Sequence, residues 1–531
     1  MPPGARPCRH LRAEPDIDPE GDIKMTILDR TPPEASERIL PVLAPLDPTQ
    51  GLNAGSGIRS GEQFREGLRD GRAVWQNGKR IDDVTMADGF RGAVDTMARL
   101  YDLQTSSEWR DRMTTRDGSG VRISASYLAP RDRADLALKR SNTEIWSAET
   151  LGFMGRFPDF CSNLIVGLRN AAHVLSEAHP QFGDNAKRYL DYCARNDLAL
   201  THALNDQFFD RTRKAPDQDD PDLILKVVEE REDGIVVRGL KNLATLSPIC
   251  DEAIVYPNRP RSPGEEDQAL AFAIPMNASG LHILCRDLYG KGVSAKRKPL
   301  STRFDEIDAT LIFDDVLVPW ERVFVYRNPA LVSRFIGMIN PPWSGYVTLI
   351  RLVTKLESMV ATLELLARYD GKEAFPPILT RLGEITGDIS VLKACLRAME
   401  EDAFVTEAGF LSPAANDAYR MFGVEASDRA ERVMEDVAAS ALIPTASESD
   451  FAIPEAGPLV KRFFKGLAPS AAKQMRVMSL AGDMTQSGFG GRTQLYERFH
   501  MGSPDMIRQR LYRNTDRSAW ISRVEAFVDQ M

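Results

Sequence analysis

Apolar residues recur at helical spacing through the last third of the chain. Leu349, Leu352, Val353, Leu356, Met359, Val360 and Leu363 share one stripe, and Leu382, Ile385, Ile389, Leu392, Leu396 and Met399 share another. Repeats of three and four predict two long amphipathic helices. With further helices expected over 414–440 and 458–482, a four-helix bundle is the economical packing. Between about 222 and 325 the pattern shortens to β-type runs at 224–228, 235–237, 270–274 and 281–285, broken by Gly, Pro and Asp/Asn turns, which predicts a β domain. Ahead of it the chain is helix-rich to about Ala215, with helices predicted over 132–146 and 189–204 and a loop or strand at 126–130. Ser60 is a polar cap for an earlier helix, and Asn77-Gly78 marks a hairpin turn between two short strands.

The expected fold class is therefore α+β. An N-terminal, mostly helical domain spans 56–215, a β-barrel-like domain 216–335, and a C-terminal helical bundle with a tail 336–531. Residues 1–55, rich in Pro, Arg, Asp and Gly, are expected to form a mobile extension, with Met25 a candidate start.

Composition narrows the function classes. The chain has 531 residues, with 67 Lys and Arg against 76 Asp and Glu, a net charge of −9. No basic stripe suits nucleic acid. No apolar run of about 18–20 residues suits a membrane span, and the N-terminus lacks the apolar core of a signal peptide, so a cytoplasmic location is expected. Six cysteines at irregular spacing form no CxxC pair, and six histidines form no HExxH. No metal site is expected, and His173 with His179 reads as a surface or packing pair. No GxGxxG follows a strand and no P-loop occurs, so any flavin is held by another route.

Three local motifs carry candidate chemistry. Gly155-Arg156-Phe157-Pro158-Asp159-Phe160 sets an Arg ahead of a Pro-Asp turn among aromatics, suited to an oxyanion or phosphate. His202, at the end of an apolar run read as helical, suits proton exchange near neutrality. Gly488-Phe489-Gly490-Gly491-Arg492 reads equally as a backbone approach to a pyrophosphate or as a helix–helix turn. The run from Arg303 to Phe324 reads as a capped acidic turn, a strand at 309–313, an Asp314-Asp315 turn and a Pro exit.

These stretches, with SGEQFREGLRDGRAVWQNGKRIDDV, SYLAPRDRADLALKR, HALNDQFFDR, LATLSPICDE, PLSTRFDEIDATLIFDDVLVPWERVF and GRTQLYERFHMGSP, follow one another in the order found in the oxygenase component of 4-hydroxyphenylacetate 3-monooxygenase. The chain resembles that family from about Ser60 to Tyr512. The resemblance implies an acyl-CoA-dehydrogenase-like fold and a two-component monooxygenase. Such an enzyme uses FAD as FADH2 from a separate NAD(P)H:flavin reductase, with molecular oxygen as co-substrate. It hydroxylates a phenolic or related aromatic ring at the ortho carbon through a flavin C4a-hydroperoxide. Carried over by residue, Arg156 and His202 would face the phenolic oxygen, with Phe160 beside them. Phe208, Phe209, Asp210 and Arg211 would meet the flavin, with Thr245 near its ring. Ile443, Pro444, Thr445 and Ala446 would form a flavin loop, and Gly490, Gly491 and Arg492 would complete the cofactor site. A homotetramer built as a dimer of dimers is implied on the same ground.

Two departures stand out. The family turn usually ends in Tyr where this chain has Phe160, and Lys298, not the His of halophenol-processing relatives, precedes Pro299. Three rival readings are an acyl-CoA dehydrogenase, a 4-hydroxybutyryl-CoA-dehydratase-like flavoprotein holding an iron–sulfur cluster, and a scaffold whose chemistry has lapsed.

Overall fold

Ser60 caps the first helix as its spacing to Gln63 promises. Its hydroxyl accepts the Gln63 N–H at 3.2 Å while the Gln63 side chain accepts the Ser60 N–H at 2.8 Å. The computed structural model describes residues 45–531 except 208, 209, 341, 444 and 445, all within one unit, Val42–Met531. The extension expected at 1–55 lies outside them up to residue 44, as does the candidate start Met25.

The N-terminal region carries helices α1 (Gly61–Gly67), α2 (Arg91–Thr105), α3 (Arg110–Met113), α4 (Arg133–Glu149), α5 (Asp159–Asn170), α6 (Ala172–Ala178) and α7 (Pro180–Asn196). Two hairpins interrupt them, β1 (Ala73–Gln76) with β2 (Lys79–Ile81), and β3 (Thr114–Arg116) with β4 (Arg122–Ser124). In the first turn Asn77 and Gly78 both adopt positive φ, 51° and 73°, the mirror-image turn that matches strand twist.

Strands β5 (Leu200–Ala203), β6 (Lys226–Glu230), β7 (Gly234–Thr245), β8 (Glu252–Val255), β9 (Ala271–Pro275), β10 (Leu281–Cys285), β11 (Asp308–Pro319) and β12 (Val323–Val325) follow. They pair with the first hairpin into a six-stranded sheet, β2-β1-β10-β11-β7-β6, and a four-stranded sheet, β12-β9-β8-β5. Strands from residues 73–81 and 200–203 thus complete sheets whose remainder falls in 226–325.

After the short α8 (Ser301–Phe304) and α9 (Pro329–Ile339) come α10 (Trp343–Tyr369), α11 (Pro376–Glu401), α12 (Asp417–Ala438), α13 (Gly457–Phe463), α14 (Ala471–Thr485), α15 (Gly488–Phe499), α16 (Pro504–Asn514) and α17 (Ser518–Val528). Helices α10, α11, α12 and α14 pack as the expected four-helix bundle. The stripes predicted on α10 and α11 face its core, with Leu349, Leu356, Met359, Leu363, Ile385 and Leu392 fully buried.

Three expectations change, and at 126–130 the loop alternative holds. The helix predicted over 189–204 is α7, which begins at Pro180 and stops at Asp197, a left-handed residue at φ 45°. The following apolar run is strand β5, buried on both faces and paired in parallel with β8. A short apolar run buried on both sides has no periodicity to separate strand from helix. The Asp314-Asp315 pair is no strand-ending turn either. Asp315 at φ 53° forms a bulge that β11 passes through to Pro319 against β7. The helix over 458–482 is two helices, because Gly466 at φ 52° and Pro469 cannot continue α13. The 126–130 segment opens with a 3-10 turn, Ala125–Tyr127.

Candidate active site

The acidic turn Asp305–Asp308, just ahead of and at the start of β11, is the point on which the candidate residues converge. Glu306 and Asp308 are both buried. The Arg156 backbone N–H donates to one Glu306 carboxylate oxygen, and Arg492 Nη1 donates to the other at 2.5 Å. Arg492 also grips Asp308 twice, through Nη2 at 2.7 Å and Nε at 3.0 Å, the fork geometry that favours Arg over Lys. Arg286 Nε donates to Asp308 at 3.0 Å, and its Nη2 to Asp305 at 2.6 Å. The Thr245 hydroxyl donates to Asp308 at 2.8 Å. Burial alone would raise the Asp308 carboxyl, but Arg492 and Arg286 with the Thr245 hydroxyl hold it down at about 2.

Arg156 precedes α5 in the turn that Pro158 and Asp159 start. Its guanidinium carbon lies 3.8 Å from the Phe160 ring centroid and 4.9 Å from that of Tyr496, cation–π contacts in a desolvated setting. Nη1 donates to the Tyr496 hydroxyl at 2.5 Å. Gly155 makes this approach possible, since a Cβ there would sit 2.4 Å from the Tyr496 ring. Phe160 meets the His202 ring edge-on at 5.5 Å and 73°. His202 stands on β5 next to Thr201, whose hydroxyl donates to the Thr245 carbonyl at 2.6 Å.

Helix α15 supplies the far wall. Glu497 accepts both Arg351 Nη groups at 2.7 and 2.6 Å and lies 3.4 Å from Lys355 Nζ, which ties α15 to α10. Its neighbour Tyr496 is stacked on His500 at 4.2 Å and 8°. Burial pushes the His202 ring well below the usual histidine range, and the positive charge of Arg156 and the nearby His500 ring act in the same direction. His500 is pushed down to about 3 by burial, with Glu497 pulling the other way. Both rings are therefore neutral near pH 7, which revises the expectation that His202 titrates there.

Arg156 Nε, His202 Nδ1 and His500 Nε2 are buried and have no hydrogen-bond partner among the described residues, and the same holds for Arg351 Nε and Lys355 Nζ at the far wall. Each uncompensated group of this kind costs about 1–3 kcal/mol, which a water or a bound polar group would offset.

The structure thus brings Arg156, Phe160, His202, Thr245 and Arg492 into one connected cluster. Gly490 and Gly491 lie in the first turn of α15, with the Gly490 N–H donating to the Ser487 hydroxyl that caps it. The Arg492 guanidinium is fully engaged by Glu306 and Asp308. Asp210 folds a surface turn by accepting from Thr212 at 2.9 and 2.7 Å, and Arg211 is exposed. Ile443 is 71 % exposed and Ala446 half-buried. Phe208, Phe209, Pro444 and Thr445 lie outside the described residues. Sequence reading missed Glu306, Asp308, Tyr496 and His500 as site residues. Their signal was present in RFDEID and YERFH, where acids or aromatics stand beside cations.

Residues 60–325 match the 4-hydroxyphenylacetate 3-hydroxylase N terminal family, and residues 342–529 match its C terminal counterpart. A 4-hydroxyphenylacetate 3-monooxygenase oxygenase component from Thermus thermophilus is 35 % identical, over 89 % of this chain and 98 % of its own length. One from a Geobacillus species is 32 % identical over 84 % of this chain and 91 % of its own. The crystal structure of a 4-hydroxyphenylacetate 3-monooxygenase oxygenase component complexed with FAD and 4-hydroxyphenylacetate superposes with a TM-score of 0.83 at 34 % identity, covering 89 % of this chain and 98 % of that one. The same arrangement of helical region, paired sheets and bundle underlies both, and the chain belongs to the 4-hydroxyphenylacetate 3-hydroxylase family.

Proposed function

We propose that the protein is the oxygenase component of a two-component monooxygenase that hydroxylates a phenolic ring ortho to its oxygen, using reduced FAD from a separate reductase. The observation that carries this reading is the pair of buried, unpartnered atoms Arg156 Nε and His202 Nδ1 flanking the Phe160 ring. A guanidinium offers only donors, whereas a neutral imidazole offers one donor and one acceptor. A phenolic oxygen between them donates a hydrogen bond to His202 and accepts one from Arg156. The positive charge favours the phenolate, which is the more electron-rich ring. Phe160 supplies an apolar edge against the aromatic plane.

The residues present fit a flavin. Arg211 is exposed, with no partner among the described residues, and is suited to an anionic diphosphate. Ile443 presents an apolar side chain to solvent and suits the face of a ring system. Thr245 belongs to the cluster around Arg156 and His202, Gly490 and Gly491 precede Arg492 on α15, and Arg492 reaches Thr245 through Asp308. When bound, reduced FAD with oxygen supplies the electrophilic oxygen atom. The chain's own residues hold the phenol, set its proton and exclude water. The regions 56–215, 216–335 and 336–531 are the domains in this proposal. Homotetramer assembly and a cytoplasmic location belong to it as well. Among the described residues no helix is long and apolar enough to cross a membrane. The exposed Trp520, Ile521, Val524 and Phe527 of α17 support self-association.

The test is anaerobic mixing of the protein with reduced FAD, followed by oxygen, with near-ultraviolet and visible absorbance recorded on the millisecond scale. The expected result is an absorbing species distinct from reduced and oxidised flavin that outlasts the reoxidation of free FAD. Reoxidation identical to that of free FAD would overturn the proposal.

A further inference from the structure

His500 is a half-buried residue with a buried Nε2 that the roles given to Arg156 and His202 leave unused. Its Nδ1 lies 2.6 Å from the Tyr496 carbonyl oxygen. A carbonyl only accepts, so Nδ1 carries the ring proton, and the neutral ring must then hold its lone pair at Nε2. That Nε2 is buried and unpartnered. The stack of His500 on Tyr496 at 8° fixes the plane in which the lone pair lies. Tyr496 is itself held by Arg156, so the acceptor belongs to the same wall as the donor that meets the phenolic oxygen. Arg156 Nε can only donate and His500 Nε2 can only accept. A phenolic hydroxyl has one proton, which the geometry above directs to His202, so a ligand that also satisfies His500 Nε2 must present a second donor.

We infer that His500 is a substrate-contacting, specificity-determining residue whose Nε2 accepts a hydrogen bond from a second donor group on the aromatic substrate, a hydroxyl or N–H other than the oxygen held by Arg156. The inference rests on the aromatic-substrate reading above and deepens it. The substrate class is an aromatic ring with two polar substituents, such as a catechol or an aminophenol. Simple phenols leave Nε2 unpaired and bind more weakly. A site built for a hydrogen-bonding group discriminates strongly against the analogue that lacks it.

The experiment is calorimetric titration of the FAD-loaded protein with two matched probes, 4-methylcatechol and 4-methylphenol. It uses wild type, His500→Phe, which keeps the stack and loses the acceptor, and His500→Gln, which keeps an acceptor oxygen. Wild type should bind the catechol about tenfold more tightly than the phenol. His500→Phe should abolish that ratio with the affinity for 4-methylphenol changed less than about threefold, and His500→Gln should retain part of it. Three results overturn the inference: no preference in wild type, a preference that survives in His500→Phe, or equal loss for both probes. Because binding is read without turnover, failure here is separate from failure of the reduced-flavin test. Normal flavin chemistry with no catechol preference would sink the role of His500 and leave the monooxygenase reading standing.

Discussion

Replacing Asp308 with Asn removes one charge from a carboxylate that receives Arg492 twice, Arg286 once and Thr245 once. Its folded pKa of about 2 stands against 3.8 for the free side chain. At 1.36 kcal/mol per unit, that difference contributes roughly 2 kcal/mol. The folded value is the lower one, so the contribution is fully present above about pH 4 and is lost as the pH falls towards 2. The Asn variant forfeits it and also leaves two half-buried cations short of an anion. Glu306 still holds Arg492, and Asp305 still holds Arg286. The total therefore sits at the lower end of the range for breaking a buried pair, about 3 kcal/mol. At about 2.1 cal/mol/K per residue, 531 residues give an unfolding entropy of about 1.1 kcal/mol/K, so Tm should fall by about 3 °C. Scanning calorimetry at pH 7 on Asp308→Asn, Arg492→Met and the double variant closes the cycle, and the two losses should fall short of adding by about 2 kcal/mol. A Tm for Asp308→Asn within 1 °C of wild type, or strict additivity, would refute the account of this turn as the hub.

Three further outcomes are expected. Arg156→Met removes the charged donor, so kcat/KM for a phenol should fall about 10- to 100-fold with more hydrogen peroxide per NAD(P)H oxidised, and unchanged coupling would count against its role. His500 has a folded value of about 3 against 6.5. Its protonation opposes the fold as the pH drops from about 6.5 towards 3, so His500→Phe should unfold at a lower pH than wild type by tryptophan fluorescence, and coincident acid midpoints would contradict this. Glu497→Gln leaves the Arg351 guanidinium, 3 % exposed, without its anion. Tm should drop by about 3–4 °C and recover in part in the double variant with Arg351→Met; a double variant no better than the single would argue against the pairing.

The bundle was legible because α10 and α11 are half-buried helices whose stripes must repeat every three to four residues. Cap and turn chemistry at Ser60 and Asn77-Gly78 was legible for an equally local reason. His202 was misplaced on a helix because β5 is buried on both faces and leaves no alternation to read. The Asp314-Asp315 bulge was misread because a positive φ at Asp315 can end a strand or kink one, and the choice is made by β7. In the site, Arg156 and His202 stood out through type and context. Glu306 and Asp308 did not, since a surface turn and a buried hub share the same acidic letters, and only partners 150 and 184 residues away tell them apart.

Those separations also bear on how the molecule is made. During synthesis the turn at 305–308 emerges with the Arg156 backbone already available, but Arg492 is the last of its partners to leave the ribosome, almost two hundred residues later. Until then a folded sheet region would have to bury two carboxylates with half their counter-ions missing, which low dielectric forbids. The turn should therefore stay hydrated through most of translation and become buried when α15 arrives, as expected for contacts of high sequence separation in a large chain. A ribosome-stalled chain ending before Gly488 should be cut by protease near 305–308, and one extended past Phe499 should resist.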